Sequence, residues 1–231
     1  MNIERSDIRN AGLAGFASVI LILTSATVRL PGTPANVFTG VTPFAGFELV
    51  HTKAQLEAML GPLDSEARKV IAARKSAPGL DFTFSIAIFM IALCQLQRRL
   101  RADQHFFTLS AMAMLAAALF LNYFFVHRAA VIANEALITE NMALTLRTVG
   151  WIKWSLVMIA LNLCTFFLTT APPVLRFGAG IMRTAALAGV VAVSYNEHYM
   201  GLAVLAMFVG MSGVSALFVF SPELVFEHGH E

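Results

Sequence analysis

The residues of this chain that could do chemistry are the few polar side chains within or beside its long apolar segments. Asn122, Tyr123 and His127 lie near the end of one such segment, and the last two are four residues apart. Tyr123 and His127 therefore share a helix face. They could face Lys153 or Trp154, which lie at the start of another segment. Such a cluster could hold a lipid headgroup or a quinone-like ring. The alternative is an aromatic and polar girdle at the membrane interface.

Asp81 is an acidic residue at the start of an apolar segment, shortly after Pro78 and Gly79. A carboxylate at this position could form a proton or cation site. It could instead cap the N-terminus of a helix, where its oxygen accepts a backbone N–H and the helix dipole favours its charge. Both interpretations stay open from the sequence.

Metal and haem sites are not predicted. Glu135 and Glu140 lie near His127 in sequence, but no E-x-x-H pattern is present. The histidines fall near the ends of the apolar segments, whereas the axial ligands of a haem would project into the bundle core. Cys94 and Cys164 each lie in an apolar run, which is typical of buried structural thiols.

The ligand-binding site predicted from these side chains has seven members, none of them catalytic, because no motif of a nucleophilic or nucleotide site is present. They are Asp81, Tyr123, His127, Glu140, Asn141, Lys153 and Trp154.

The amino-acid composition indicates the class of protein in which these residues are positioned. The chain has 231 residues, of which 58% are hydrophobic and 13% charged, and its mean hydropathy is +0.72. Soluble domains usually carry about a quarter charged residues. A disordered chain, a nucleic-acid-binding module and an ordinary cytosolic enzyme are excluded. We predict an integral membrane protein, whose net charge of +2 implies no polyanionic partner.

Six apolar segments are near the length of about 20 residues that crosses a hydrocarbon core. Backbone groups in lipid must be hydrogen-bonded within the segment, so each is predicted to be a helix. The predicted fold is all-α, a single polytopic transmembrane helical bundle over residues 1–231. The fifth segment is short and has Arg183 near its start, so four or five spans remain open. The segments are residues 11–29, 81–97, 106–126, 151–171, 179–195 and 200–220.

Two connections, residues 30–80 and 127–150, are too long to be turns. In the first, Thr52 and Gln55 have the spacing of a capping box, and a second short amphipathic helix is predicted after Gly61. This amphipathic helical loop either caps the bundle or provides a lid or partner surface. The second connection is predicted to extend the third or fourth span beyond the bilayer or to lie on its surface.

Basic residues predict the orientation in the membrane. With six spans the two termini share a side, and the short loops on that side are rich in arginine. The positive-inside rule then predicts cytoplasmic termini, and we expect a bacterial inner membrane. The arginines on that side are Arg5, Arg9, Arg98, Arg99, Arg101, Arg176 and Arg183.

Four short elements of the sequence carry a family resemblance. Phe47-Glu48-Leu49 is an F-E-L segment, and residues 80–84 form an L-D-x-x-F helix entry. Glu140-Asn141 is an E-N pair before the K-W helix start at Lys153-Trp154. Over about residues 47–168 the chain resembles a loosely defined group of small uncharacterised bacterial polytopic membrane proteins. The resemblance implies a compact helical bundle and no activity. The chain departs from the pattern because Glu140-Asn141 lies far outside the third span and the last two helices are additional.

Three function classes remain. The first is a structural, assembly or hydrophobic-ligand-binding subunit of a larger membrane complex. Its partners would be membrane lipids and other subunits or a second copy, and it could bind a lipid, quinone or pigment. The second is a lipid- or isoprenoid-acting enzyme with an interfacial site at Asp81, His127, Glu140 and Lys153. The third is a small transporter, for which Asn162 is the mid-span polar candidate. Otherwise we expect Asn162 to hydrogen-bond a neighbouring helix.

Overall fold

The computed structural model describes residues 4–27, 52–73, 82–195 and 197–225. These ranges are helical and contain no strand, which confirms the all-α class. Short 3-10 helices follow three of the α-helices. The α-helices are α1 (Arg5–Thr27), α2 (Lys53–Leu60), α3 (Glu66–Ala73), α4 (Phe82–Leu100), α5 (His105–Ala133), α6 (Glu140–Cys164), α7 (Pro173–Tyr195) and α8 (Glu197–Phe220). The 3-10 helices are Ala102–Gln104, Phe166–Thr170 and Pro222–Val225.

In the part of the chain that the structure describes, five helices are long and apolar enough to cross a membrane, namely α1, α5, α6, α7 and α8. The chain is therefore an integral membrane protein. Helix α5 has 29 residues, about 43 Å at 1.5 Å per residue, whereas a hydrocarbon core is about 30 Å thick. Helix α6 has 25 residues, about 37 Å. Both helices are thus long enough to extend beyond the bilayer. Residues 127–133 belong to α5 and residues 140–150 to α6, and whether they leave the bilayer stays a prediction.

Helix α4 occupies the predicted span 81–97 but is not one of these five helices. It contains the buried polar residues Thr83, Ser85 and Gln97, and it ends with Arg98 and Arg99. It packs against α1, α5 and α6, so neighbouring helices shield its polar side chains. The number of spans in the structure is thus consistent with the predicted range of four to six.

The six long helices form a closed ring. Each packs against its neighbours in the order α1, α4, α5, α6, α7, α8, and α8 packs back against α1. Glycines permit the closest approaches. A Cβ atom added to Gly12 would lie 2.8 Å from the carbonyl oxygen of Ser215, and one added to Gly210 would lie 2.7 Å from the backbone nitrogen of Met182. Cys94 and Cys164, on α4 and α6, meet in the interior as free thiols.

Helices α2 and α3 form a small unit, which we call the cap (residues 52–73). The predicted capping box is present, because Gln55 N donates to Thr52 Oγ1 at 3.2 Å and Thr52 N donates to Gln55 Oε1 at 3.1 Å. Gly61, with φ of 65°, ends α2. The cap buries Leu56, Met59, Leu60 and Ile71 against the end of α5 and the start of α6. Residues 52–73 thus pack on the end of the bundle, and the use of this loop as a lid or partner surface stays a prediction.

Arg68 fastens the cap to the bundle. Its side chain is only 6% exposed, and its Nη1 donates to the carbonyl oxygens of Ala133 at 3.1 Å and Glu135 at 2.8 Å. Its Nε donates to Gly61 O at 3.0 Å. Ala133 is the last residue of α5, and Glu135 follows it by two residues. Carbonyls at a helix C-terminus lack partners within the helix and carry partial negative charge, so the Arg68 guanidinium supplies both a donor and a compensating charge there.

The opposite end of the bundle, which we call the arginine face, collects the start of α1, the end of α4 and the connection between α6 and α7. There Arg99 Nη1 lies 2.6 Å from Asp7 Oδ1, and Arg101 Nη2 donates to Thr170 Oγ1 at 2.7 Å. The cap and the arginine face thus mark the two ends of the ring.

Candidate functional site

Lys153 is the least exposed charged residue among those that the structure describes. Its side chain is 0% exposed. It shares the buried face of α6 with Gly150, Trp154, Val157 and Leu161, which follow the helical spacing of three and four residues. The periodicity of α6 therefore turns the ammonium group inward, away from lipid and water.

The Lys153 ammonium is held by an amide from the facing helix. Its Nζ donates to Asn122 Oδ1 of α5 over 3.0 Å. Thr83 Oγ1, in the first turn of α4, donates to the same oxygen over 3.3 Å. Asn122 is 8% exposed and Thr83 is fully buried. One oxygen atom thus joins side chains from α4, α5 and α6.

Two aromatic rings flank the ammonium. Lys153 Nζ lies 5.1 Å from the centroid of the Phe125 ring and 4.9 Å from that of the Trp154 ring. Both distances suit a cation–π attraction, which strengthens where water is excluded. Phe125 also belongs to the apolar core beneath the cap. The ring is therefore shared between the Lys153 site and the packing of the cap.

The site lies towards the cap end of the bundle. Asn122 follows His105, the first residue of α5, by 17 residues, which is about 26 Å along the helix. From Phe125 onward α5 packs under the cap. If the spans cross a core about 30 Å thick, this level is close to the boundary between hydrocarbon and lipid headgroups.

Tyr123 and His127 share a helix face, as predicted, but that face points outward. Tyr123 is 65% exposed and His127 is exposed as well. Each residue turns an α-helix by about 100°, so Asn122 faces α6 while its neighbour Tyr123 faces out. Neither Tyr123 nor His127 joins the cluster around Lys153.

Glu140 and Asn141 also lie away from Lys153. Both are exposed in the first turn of α6, where Thr139 caps the helix by accepting from Met142 N at 3.3 Å. Glu140 precedes Lys153 by 13 residues, about 20 Å along the helix. Asp81 lies outside the described residues, so both interpretations of its role remain predictions.

The structure thus brings together Lys153 and Trp154 of the predicted set, Asn122 of the same predicted cluster, and two further residues, Thr83 and Phe125. Asn122 carried a sequence signal, because an amide within an apolar span usually has a polar partner. Thr83 and Phe125 carried no such signal, since their types are common in membrane helices. Within the described ranges, no group of three or more His, Cys, Asp or Glu residues could hold a metal ion.

Asn162 makes a hydrogen bond between two helices of the bundle. Its Nδ2 donates to Met158 O at 3.1 Å within α6 and to Arg183 O of α7 at 3.3 Å. The predicted hydrogen bond to a neighbouring helix is thus confirmed, and it joins α6 to α7.

No protein-family model matches the chain, and neither a curated protein nor a solved structure is significantly similar to it.

Proposed function

We propose that this chain is a non-enzymatic membrane protein that binds the oxygen-bearing head of a membrane-dissolved amphiphile at Lys153, as a subunit of a larger membrane assembly. The observation that carries the proposal is the complete burial of the Lys153 ammonium among apolar helices. Removing an ammonium group from water costs free energy unless the group is paired, and ionisable residues within membrane helices commonly serve ligands or transported ions. Stability alone is a poor reason to retain this charge.

The chemistry of the site suits a polar head. An ammonium has three N–H donors, which complement the oxygens of a carboxylate, a phosphate or a quinone carbonyl. The rings of Phe125 and Trp154 offer flat apolar surfaces beside Nζ. Because the site lies near the headgroup level, the apolar tail of such a ligand would extend between the helices toward the membrane interior. The groups described around Nζ, an amide oxygen and two aromatic rings, suit a lipid head or a quinone ring.

The subunit role is supported by large apolar side chains on the outer surface of α5. Phe106 is 75% exposed, Phe120 is 70% exposed and Leu109 is 69% exposed. In the membrane such a surface contacts lipids or other membrane helices. We place the protein in a bacterial inner membrane, in keeping with its resemblance to small bacterial polytopic membrane proteins. The arginine face then lies on the cytoplasmic side, as the positive-inside rule favours.

The geometry favours binding over interfacial catalysis. The enzyme hypothesis needs His127 and Glu140 to act with Lys153. Both side chains are exposed, and His127 shares the outward face of Tyr123. A transporter would need a polar path at Asn162, whose amide is instead bonded to backbone carbonyls of α6 and α7.

The proposal is tested by native mass spectrometry of the full chain, extracted from its own membrane in a mild detergent. We expect the wild type to carry a bound small molecule and Lys153→Met to lose it. Lys69→Met is the matched control, because Lys69 is an exposed lysine on the cap. A bare mass of 25.0 kDa for the wild type, or an unchanged adduct in Lys153→Met, contradicts ligand binding at Lys153. Absence of co-migrating proteins contradicts the subunit role.

A further inference from the structure

A long apolar groove runs along the outer surface of the bundle between α7 and α8. Its volume is about 1260 Å³. On α7 its lining extends from Pro173 to Val191, and Leu202 and Ala203 of α8 line it near the Val191 end. Pro173 follows the connection from α6 on the arginine face, so the groove begins at that face and runs toward the cap end.

Small residues form the floor of the groove. Gly180, Thr184 and Ala188 recur every four residues and so lie on one face of α7. A Cβ atom added to Gly180 would meet no atom within 4 Å. The space above Gly180 is therefore open and could admit an elongated apolar molecule.

One end of the groove is positively charged. Arg176 is the one charged residue among the described residues that line it. The Arg176 side chain is exposed and forms no ion pair with any acidic side chain in the described part of the chain. The start of α7 at Pro173 adds the positive end of the helix dipole. A single cationic end on an otherwise uncharged groove complements a lipid with one anionic head.

The length of the groove restricts the lipid. Arg176 and Val191 are 15 residues apart, about 22 Å along α7, whereas one leaflet contributes about 15 Å of hydrocarbon. The acyl chain of an ordinary phospholipid with its head at Arg176 would end near the bilayer centre. A longer single chain fits better.

We propose that the groove binds a polyisoprenyl phosphate, with its phosphate at Arg176 and its chain along Gly180, Thr184 and Ala188 toward Val191. This site is separate from the one at Lys153, which lies near the other end of the bundle. The two proposals can therefore fail separately. Lys153→Met tests the site at Lys153, and the groove variants test binding of polyisoprenyl phosphate in the groove.

The experiment measures binding of polyisoprenyl phosphate to the full chain in nanodiscs of zwitterionic phospholipid, by native mass spectrometry. We expect the wild type to bind it about tenfold more tightly than the uncharged prenol, because a charged hydrogen bond is worth about 1.5–3 kcal/mol. Arg176→Gln should remove that preference, whereas Arg98→Gln, an exposed arginine outside the groove, should keep it.

Gly180→Leu tests the groove itself, and it should weaken binding of both polyisoprenoids by about tenfold or more. Gly213→Leu is the matched control, because Gly213 is also exposed, meets no atom within 4 Å on gaining a Cβ, and lies outside the groove. Equal binding by the two leucine variants overturns the proposal. So does displacement by an equal concentration of phosphatidylglycerol, which would make an ordinary phospholipid the occupant. A two-chain mass that Gly180→Leu abolishes would identify a helix of a second copy instead.

Discussion

Lys153 and Asn122 meet across the interface of α6 and α5, with the ammonium Nζ 3.0 Å from the amide Oδ1. The same oxygen accepts from Thr83 of α4 at 3.3 Å. Asn122 is therefore the common acceptor of two buried donors, and it fixes how three helices of the ring are rotated about their axes.

Replacement of Asn122 by leucine should be costly, because it removes the shared acceptor and leaves two buried donors short of a partner. We expect a loss of about 1–3 kcal/mol of stability, measured as a lower denaturation midpoint of the purified protein in detergent. Thr83→Val removes one neutral donor and should cost about 1 kcal/mol. Thr145→Val, which loses only a bond within α6 to Asn141 O, is the control. A midpoint for Asn122→Leu equal to that of Thr145→Val would contradict this account.

Replacement of Arg68 by methionine should release the cap. Three carbonyl oxygens lose a charged donor, so the local stability of residues 52–73 should fall by about 3 kcal/mol or more. Amide hydrogen exchange should accelerate there while the long helices stay protected. Lys69→Met provides the comparison, since Lys69 forms only an exposed ion pair of 3.7 Å with Glu66, worth at most about 1 kcal/mol. Slow exchange of the cap in Arg68→Met would show that its apolar contacts suffice.

Two glycines three residues apart on α8 should respond oppositely to alanine. A Cβ at Gly210 would lie 2.7 Å from Met182 N and 2.9 Å from Gly178 O, which are backbone atoms of α7. Gly210→Ala should thus force α7 and α8 apart and cost about 1–3 kcal/mol. Gly213→Ala meets no atom within 4 Å and should be neutral or stabilising by up to about 1 kcal/mol, because alanine favours the helix. Thermal denaturation of the two variants checks the contrast, and equal midpoints would refute it.

The local parts of the fold could be predicted from the sequence because they depend on neighbouring residues. Thr52 and Gln55 specify the start of α2 through their own side chains, and the length of each apolar run specifies a helix. The bond from Asn162 to the backbone of α7 also follows from local chemistry, since an amide in lipid needs an acceptor.

The rotation of the helices could not be predicted in the same way. Helix α5 is apolar on all sides, because lipid-facing residues such as Phe120 are as apolar as buried ones such as Leu115. Without a polar stripe, hydropathy does not show that Asn122 rather than Tyr123 faces α6. The groove could not be predicted from the sequence either, because its shape depends on how α7 and α8 pack and not on either helix alone.

The contact of α1 with α8 joins helices made at very different times. Gly12 meets the backbone of Ser215, a residue about 200 positions later in the chain. At about 5–20 residues per second, a ribosome needs roughly 10–40 s to synthesise that stretch. During this interval the face of α1 that carries Gly12 has no α8 to pack against. It therefore contacts lipid or the insertion machinery. Closure of the ring thus waits for α8, and a chain stalled before α8 is made would leave the contact face of α1 uncovered.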